Sequence, residues 1–370
     1  MSSCQKRIEK LFAPADIVIN GNRPWDITVH NGHLYRRLLV HGSLGLGESY
    51  MDGWWDCEKI DEFVCRLLSR GIDRQVRSWK MVISAITARL SNRQSQTRSF
   101  QVGRHHYDIG NDLYQRMLDS RMIYSCAYWQ DAATLETAQE QKLDLICRKL
   151  HLESGQRLLD IGCGWGGMAQ FAAERYGVEV VGVTVSEKQA KGAQQRCAGL
   201  PVEIRFQDYR DLHEPFDRIV SIGMFEHVGY KNYLTYMSVV DRCLKDDGLF
   251  LLHTIGGNTS VTTCDPWLER YIFPNGMLPS AAQITSSIEG LFILEDWHNF
   301  GPDYDTTLMA WLRRFEDSWP DLSARYGERF YRMWRYYLLS CAGAFRARAN
   351  QLWQIVLAKE GFRGRYLPIR

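Results

Sequence analysis

The residues of this sequence with the clearest chemical potential form one short stretch, in which an acidic residue precedes a cluster of glycines. Asp160 ends the apolar run that begins at Leu158. The glycines that follow, in a G-x-G-x-x-G spacing, are Gly162, Gly164 and Gly167. Glycines so placed allow a tight turn and let a ligand lie directly against the main chain. The pattern also occurs in plain connecting loops, but here it follows a predicted strand and opens a predicted helix, which favours a nucleotide-like ligand.

The positions of the acidic residues distinguish between two candidate ligands of this loop. A dinucleotide site carries an acid at the end of the second strand, where it holds the ribose hydroxyls. Here that strand ends at Thr184, and Glu187 arrives only in the following helix. Acids stand instead before the loop, at Asp160, and after the third strand, at Asp208. Because a cationic sulfonium and an amino group favour nearby carboxylates and aromatic faces, this arrangement favours S-adenosylmethionine over a dinucleotide.

Apolar segments that alternate with helical ones predict the elements that position this loop. The predicted strands cover residues 158–161, 179–184, 202–206, 216–221 and 249–254. Helices are predicted over 135–150 and, with Ser186 as N-cap, over 186–197. The alternation predicts an α/β fold, a Rossmann-like, doubly wound parallel sheet, which binds ligands at the carboxyl ends of its strands. Together with the acids around the loop, this fold is similar to the sheet of S-adenosylmethionine methyltransferases. The polar residues at those ends are Asp160, Thr184, Asp208, Glu226 and His253.

The N-terminal part of the chain predicts a separate small domain over residues 1–95, since 370 residues exceed one ordinary core. Segments 17–19 and 26–29 are strand-like and are followed by Asn-Gly turn signals. A helix over 60–68 follows them. The glycine- and aromatic-rich segment 44–55 is interpreted as a packed loop.

Three further segments complete the predicted domain organisation. Between Val76 and Leu90, apolar residues at helical spacing with basic neighbours predict an amphipathic helix, which either packs on a core or lies on a membrane surface. Residues 96–104 are predicted to be a linker, and residues 105–370 the second domain. Its aromatic-rich part, 265–370, is predicted to be a mainly helical cover that lies over the carboxyl edge of the sheet and shapes an apolar pocket.

Composition narrows the class of protein. Hydrophobic residues make up 45% and charged residues 24%, as in soluble globular proteins. No apolar run approaches the roughly 20 residues of a spanning helix, and the N-terminus shows no signal-peptide pattern. The ten cysteines contain no C-x-x-C pair and no His/Cys ligand spacing. We therefore expect reduced thiols, no metal site and a cytoplasmic protein.

The net charge is only +2, but the basic residues are unevenly distributed. Residues 74–104 contain seven basic residues and no acidic one, and residues 329–370 contain nine with only Glu360 acidic. Such segments can meet nucleic acid or anionic lipid headgroups. Solvated helix faces explain either segment taken alone equally well.

Seven strings in order along the chain carry a family resemblance. They are HYDIGND at 106–112, YSCAYW at 124–129, DIGCGWGG at 160–167, MFEHVG at 224–229, LHTIG at 252–256, DYDTTLMAW at 303–311 and CAGAFR at 341–346. With these strings the chain resembles the cyclopropane-fatty-acyl-phospholipid synthases over essentially its whole length. The resemblance implies transfer of a methyl group from S-adenosylmethionine to the cis double bond of a phospholipid acyl chain. A carbocation then forms at the neighbouring carbon, a base removes a proton from the added methyl, and the ring closes.

The resemblance also implies which residues hold the base, a bound bicarbonate ion. They are Cys126, Glu226, His253, Tyr304 and the backbone near Ile255. Glu226 would accept a hydrogen bond from bicarbonate, while His253 and Tyr304 would donate to it. Taken singly, Cys126 is more often a small buried apolar residue and His253 a satisfied core histidine. Their joint presence in the family strings favours the site.

A second cysteine of the family strings, Cys341, is a further candidate. Its thiol is a candidate nucleophile, but the implied mechanism needs no covalent enzyme adduct. We therefore predict a structural role for Cys341.

For the methyl donor, the resemblance points to the ends of the first three strands and one preceding segment. The implied contacts are Tyr124, Ser125, Asp160, Gly162, Cys163, Gly164, Trp165, Gly166, Thr184, Gln189, Gln207, Asp208 and Tyr209. As partners it implies an unsaturated phospholipid, a membrane surface contacted peripherally and no nucleic acid, with a homodimer as the candidate assembly. The expected location is the cytoplasm, with transient contact to the inner face of the membrane.

Three other functions stay open from the residues. A related lipid C-methyltransferase would give a methyl-branched or methylene product. A non-catalytic lipid- or nucleotide-binding protein need not keep all the implied site residues. A nucleic-acid methyltransferase would need an Asn/Asp-Pro-Pro-Tyr-like pocket after the fourth strand, where residues 223–226 read GMFE instead. The lipid headgroup and the double-bond position are left open.

Overall fold

The computed structural model of the protein describes residues 3–72 and 110–370, which pack as two units. The first unit contains residues 3–72 with Thr262–Pro274 and Tyr304–Asn350. The second contains residues 110–261 with Asn275–Asp303 and Gln351–Arg370. The amphipathic helix predicted at 76–90, the predicted linker 96–104 and most of the string at 106–112 lie outside the described residues.

The helices, numbered along the described residues, are α1 (Ser3–Phe12), α2 (His33–Met51), α3 (Ile60–Ser69), α4 (Asn111–Met117), α5 (Leu135–Lys149), α6 (Gly167–Tyr176), α7 (Glu187–Arg196), α8 (Tyr233–Cys243), α9 (Pro266–Tyr271), α10 (Ala281–Ile288), α11 (Pro302–Tyr326) and α12 (Glu328–Arg346). The strands are β1 (Thr28–Val29), β2 (Trp55–Asp56), β3 (Arg157–Ile161), β4 (Glu179–Thr184), β5 (Val202–Phe206), β6 (Phe216–Ile222), β7 (Leu244–Gly257), β8 (Phe292–Asn299) and β9 (Asn350–Lys359). Within the described part of the chain, no helix combines the length and hydropathy that crossing a bilayer requires.

A seven-stranded mixed sheet is the framework of the second unit, which confirms the predicted α/β fold. Its strand order is β5-β4-β3-β6-β7-β9-β8. Neighbouring strands from β5 to β7 are parallel, and β8 pairs with β9 antiparallel. Alternate residues face opposite sides, so Leu158 and Val180 pack in one core and Leu159 and Val181 in the other. Helices α5, α6 and α7 cover the first face, and α8 and α10 cover the second.

The segment 265–370 is mainly helical, as predicted, but it also supplies two strands of the sheet that the sequence analysis did not predict. Strand β9 is buried almost continuously from Gln351 to Ala358. A short, continuously apolar strand cannot be distinguished from a buried helix by periodicity. Trp297 and Trp353, interpreted as part of the helical cover, stack edge to face at 5.1 Å between β8 and β9.

The first unit shows a second correction, because the segment 44–55 is mostly the second half of α2, followed by β2. A Cβ atom on Gly47 would lie 2.4 Å from the Trp267 ring, so close packing requires glycine there. Gly42 has non-helical dihedral angles and kinks the helix. Packing thus overrides the low helix propensity of these glycines.

The structure divides the chain into packed units at other positions than the prediction, in which residues 105–370 form one domain. Helix α12 packs against α3 so closely that a Cβ atom on Gly343 would lie 2.3 Å from the Asp61 carbonyl oxygen. Tyr336, also on α12, lies 4.7 Å from Trp267 and 5.6 Å from Tyr50, ring centre to ring centre. An apolar helix face predicts burial but does not identify the partner, which here lies far away in the sequence.

Most of the basic residues in 329–370 are paired with acids of their own unit. Six of the nine lie within ion-pair distance of a carboxylate: Arg329 with Asp52, Arg332 with Asp56, Arg335 with Glu316, Arg346 with Asp61 and Asp305, Lys359 with Asp246, and Arg370 with Asp296. Much of the positive charge counted in this segment is therefore balanced within the protein.

Candidate active site

The glycine loop makes a sharp turn between β3 and α6. Gly162, Gly164 and Gly166 all have positive φ angles, of 87°, 54° and 81°. The backbone N–H groups of Gly162 and Cys163 donate to the Val183 carbonyl oxygen at 2.9 and 3.0 Å, which ties the loop to the end of β4. A Cβ atom on Gly162 would lie 2.8 Å from Met224 Cγ, so this side of the loop has no room for a side chain. Met224 therefore closes the loop at Gly162, whereas at Gly164 no atom lies within 4 Å of the position that a Cβ atom would take.

Asp160 supplies a buried carboxyl group immediately before this loop. Its side chain is 1% exposed, and Oδ2 has no hydrogen-bond partner among the described residues. Burial raises the pKa of Asp160 to about 7, and the nearby Lys142 ammonium group opposes the rise. A carboxylate in this position would be stabilised by a cationic ligand.

We expect the affinity for S-adenosylmethionine to increase about tenfold between about pH 6 and about pH 8, because ionised Asp160 attracts the cationic donor and its pKa is raised to about 7. Titration calorimetry at several pH values measures this. Since Glu226 also has a pKa raised to about 7, the control is Asp160→Asn, which should weaken binding and remove the pH dependence. Unchanged pH dependence in Asp160→Asn would refute the assignment.

The ends of β4 and β5 hold the other residues predicted for the donor. The Thr184 hydroxyl donates to Gln189 Oε1 at 3.0 Å and accepts from the Ser186 backbone N–H at 3.2 Å. The Gln207 N–H donates to the Thr184 carbonyl oxygen at 3.1 Å, which joins the two strand ends. Ser186 caps α7 as predicted, because its hydroxyl accepts from the Gln189 N–H. Thr184 therefore orders this turn where a dinucleotide site would carry an acid.

Asp208 follows β5 and caps the short 3-10 helix Tyr209–Asp211. Its carboxylate accepts from the Arg210 backbone N–H and from Arg210 Nη1, both at 3.0 Å. Tyr209 packs at 5.0 Å from Tyr236 in the core. These contacts fix the loop after β5 close to the end of β4.

Aromatic contacts connect the segment before α5 with the glycine loop. The Tyr114 ring lies 5.2 Å from the Tyr124 ring and 5.2 Å from the Trp165 ring. Tyr124 and Trp165, both predicted donor contacts, are thus held through a shared neighbour.

Glu226 lies in the 3-10 helix Phe225–His227 that follows β6. Its Oε1 accepts from the Ile255 backbone N–H at 2.7 Å, so the structure joins two of the predicted base residues directly. Oε2 is buried and has no partner among the described residues. Burial raises the pKa of Glu226 to about 7, although the Ile255 N–H bond opposes the rise. Such a carboxyl group can change protonation state near neutral pH.

His253 lies on β7, with 1% of its surface exposed. Burial and the nearby cations Lys142 and Lys149 hold its pKa well below the usual range, so the ring is neutral. The Gln354 amide nitrogen donates to Nδ1 at 3.3 Å, which leaves the proton on Nε2. Nε2 has no partner among the described residues and is a buried donor. The Gly223 N–H donates to the His253 carbonyl oxygen at 2.9 Å, so the segment leading to Glu226 is anchored to β7.

The remaining predicted base residues divide between the two units. Cys126 is fully buried, and its Sγ contacts the Ala127 carbonyl oxygen at 3.1 Å. Tyr304 and Cys341 belong to the first unit, where the Tyr304 ring lies 4.6 Å from the Phe345 ring. Burial raises the pKa of the Cys341 thiol to about 12, which disfavours a nucleophilic thiolate.

Two polar residues of α5 that the sequence analysis missed contact the predicted donor segment. Lys142 Nζ donates to Ser125 Oγ at 2.9 Å, and Gln139 Nε2 donates to the Ser125 carbonyl oxygen at 2.9 Å. Both side chains are fully buried. The available signal was their position on the apolar side of α5, next to Ala138 and Leu143, where polar residues require a partner.

The chain is similar to several known proteins. Residues 94–355 match the family model described as mycolic acid cyclopropane synthetase. The chain is 58% identical over 351 residues to the cyclopropane-fatty-acyl-phospholipid synthase of Escherichia coli (strain K12), covering 95% of this chain and 92% of that one. The solved structure of cyclopropane synthase MmaA2 from Mycobacterium tuberculosis is 34% identical, with a TM-score of 0.65 over 70% of this chain and 98% of that one. The values are the same for mycolic acid cyclopropane synthase CmaA1 complexed with SAH and CTAB.

Proposed function

This chain belongs to the mycolic acid cyclopropane synthetase family, and from that premise we propose that it is an S-adenosylmethionine-dependent cyclopropane-fatty-acyl-phospholipid synthase. It adds a methylene group to the cis double bond of an unsaturated acyl chain of a phospholipid. The observation that carries this conclusion is the 58% identity, over 95% of the chain, to the Escherichia coli synthase.

The donor side of the site fits S-adenosylmethionine. The glycine loop is open at Gly164, where no atom lies within 4 Å of the position that a Cβ atom would take, and Asp160 offers a cationic group a carboxyl oxygen that has no partner among the described residues. When bound, S-adenosylmethionine supplies the methyl group to the alkene. The residues of the chain orient this donor and exclude water, which matters because an alkene is a weak nucleophile and its cation would be quenched by water.

For the base, we assign Glu226, His253, Cys126, Tyr304 and the Ile255 backbone to a bicarbonate site. Support comes from two buried atoms without partners among the described residues, Glu226 Oε2 as an acceptor and His253 Nε2 as a donor. A bicarbonate ion needs both, an acceptor for its hydroxyl and a donor for its charged oxygen. When bound, bicarbonate would supply the base. Glu226 must be ionised to accept that hydroxyl, and the fixed bond from the Ile255 N–H holds its carboxylate in orientation.

The direct test is incubation of the protein with labelled S-adenosylmethionine and vesicles of an unsaturated phospholipid, followed by fatty-acid analysis. We expect a product that is heavier by one carbon and two hydrogens and has lost the double bond. A folded, donor-binding protein without cyclopropyl product would refute the activity. A methyl-branched or methylene product would instead identify the related C-methyltransferase.

The bicarbonate assignment has its own test. Turnover should slow in buffer depleted of carbon dioxide, and added bicarbonate should restore it.

A lipid substrate requires contact with a membrane, which we assign to transient, peripheral binding at the inner face by a cytoplasmic protein. The segment 74–104 is the better source of attraction, because it contains seven basic residues and no acidic one. In 329–370, by contrast, most basic residues are paired with acids. The first segment contains no acidic residue of its own and would supply attraction to anionic lipid.

We expect binding to anionic vesicles to weaken as salt rises, because screening reduces surface attraction. The double variant Arg77→Gln with Lys80→Gln should bind these vesicles less tightly than the wild type in a sedimentation assay. The control, Arg329→Gln with Arg332→Gln, removes charges that Asp52 and Asp56 already balance and should bind nearly as the wild type. Salt-insensitive binding would contradict the electrostatic proposal.

A further inference from the structure

Helix α5 holds the segment that carries Ser125 by three hydrogen bonds. Lys142 Nζ donates to the Ser125 hydroxyl, and Gln139 Nε2 donates to the Ser125 carbonyl oxygen, both at 2.9 Å. The Tyr128 backbone N–H donates to the Ala138 carbonyl oxygen at 3.0 Å. Side chain and main chain of one short segment are thus fixed from the same helix.

Lys142 is unusual because its ammonium group is fully buried and forms no ion pair with any described carboxylate. Its neighbours are close enough for charges to interact, and they include Asp119, Asp160, Cys126 and His253. Burial of an ammonium group without a paired acid costs free energy, and an apolar side chain of similar length would fill the same space at a lower free-energy cost. Packing alone therefore does not explain a lysine at this position.

Lys149 gives a contrast from two turns further along the same helix. It is equally buried, but its Nζ lies 3.3 Å from Asp296 Oδ2 and 3.1 Å from His298 Nδ1. Arg370 also contacts Asp296, at 2.6 Å. Lys149 is thus an ordinary member of a buried ion-pair cluster, whereas the hydrogen bond of Lys142 goes to Ser125.

We propose that Lys142 is a positioning residue for methyl transfer, because its buried ammonium group fixes the Ser125 hydroxyl and with it the segment from Tyr124 to Cys126. The proposal rests on the proposed function. That segment bridges two tasks, since Tyr124 and Ser125 are assigned to the donor and Cys126 to the base. A directional hydrogen bond at its centre sets the position of the donor methyl group relative to the base more tightly than apolar packing would. The charge also favours ionised Asp160, whose carboxyl group is near enough to interact with the charge of the same lysine.

The test compares Lys142→Met with the matched control Lys149→Met. Lys142→Met should lower kcat about 100-fold, because small misplacements at a reacting centre cost about this much, with a smaller change in KM for the lipid. It should also weaken S-adenosylmethionine binding about fivefold or more in calorimetry, a measurement that does not depend on lipid turnover. Lys149→Met should lower the melting temperature and leave both values within about threefold. Equal losses in the two variants, or kcat within threefold in Lys142→Met, would overturn the proposal.

Two further variants separate positioning from a merely structural role. Lys142→Gln keeps a donor toward Ser125 and should recover part of the lost kcat. If it performs as poorly as Lys142→Met in a folded protein, the hydrogen bond is not responsible and the proposal fails. Ser125→Ala combined with Lys142→Met should be no worse than the poorer single variant, since both break the same bond. Additive losses would show that the two residues act independently.

If the wild type forms no cyclopropyl product, the proposed function fails first. Lys142 is then judged by donor affinity alone. Should Lys142→Met not fold, donor binding by Lys142→Gln and Ser125→Ala still decides the question.

Discussion

Replacing Glu226 by glutamine is expected to lower the turnover number about 10²- to 10⁴-fold while S-adenosylmethionine binds within about threefold of its original affinity. Glutamine keeps the size of the side chain and an acceptor for the Ile255 N–H, the bond that now measures 2.7 Å. At the position of Oε2 it presents an amide N–H group instead of an acceptor. The bicarbonate hydroxyl would then lose its acceptor, and proton abstraction from the added methyl group would be impaired.

Two quantities are measured: the steady-state turnover number on vesicles of unsaturated phospholipid, and the affinity for S-adenosylmethionine by titration calorimetry. In the wild type, turnover should fall as the pH drops below about 7, because burial raises the pKa of Glu226 to about 7 and only the ionised form accepts the hydroxyl. With saturating S-adenosylmethionine, so that the titration of Asp160 does not limit turnover, this acidic decline should be weaker in Glu226→Gln. Glu214→Gln serves as control, since Glu214 is a half-exposed carboxylate paired with Arg157 and Arg205. Equal losses of turnover and donor affinity in Glu226→Gln would contradict its role with the base.

Gly162→Ala is expected to have the second largest effect, a loss of donor affinity of at least about tenfold together with a lower melting temperature. The φ angle of 87° strains any other residue, at a cost of about 1–3 kcal/mol. In addition, the new methyl group would lie 2.8 Å from Met224 Cγ and 2.9 Å from Met224 Cβ. Met224 lies two residues before Glu226, so the displacement would reach the base side of the site as well.

Gly164→Ala is the matched control in the same loop. Its φ angle of 54° is also positive, but no atom lies within 4 Å of the position that a Cβ atom would take. In the absence of the donor, the melting temperature of Gly162→Ala should therefore fall clearly below that of Gly164→Ala. Equal melting temperatures would show that the contact with Met224 is not the cause. Thermal unfolding followed by circular dichroism measures the difference.

Local sequence patterns were sufficient to predict the parallel part of the sheet. Asp160, the glycines and five strands were predictable because each strand is a short apolar run and each turn carries its own glycine or N-cap signal. Strands β8 and β9 were not predictable in this way, since β9 is buried along nearly its whole length. The two-unit division escaped prediction because α12 is a recognisable amphipathic helix whose partner α3 lies hundreds of residues earlier.

The residues of the candidate site also differ in how far the sequence could predict them. Glu226 and His253 were weak candidates as single residues, and only the family strings selected them. The structure adds an observation that supports this proposed assignment, namely a buried acceptor and a buried donor without partners among the described residues. Lys142 stayed hidden, because a lysine in a helix ordinarily indicates a solvated face. Its role depends on contact with Ser125, 17 positions earlier, which no local pattern encodes.

The first unit is built from three stretches that lie far apart in the sequence, and this affects how the chain folds during synthesis. Residues 3–72 leave the ribosome early, but their partners on α12 belong to a segment that ends at Asn350. At roughly 5–20 residues per second, the intervening about 280 residues take on the order of 14–56 s to synthesise. During that interval Tyr50 and Trp55 lack the Tyr336 ring that later packs against them. Nascent chains of this protein therefore expose an incomplete aromatic core for most of their synthesis, which makes them natural clients of the chaperones that bind such surfaces.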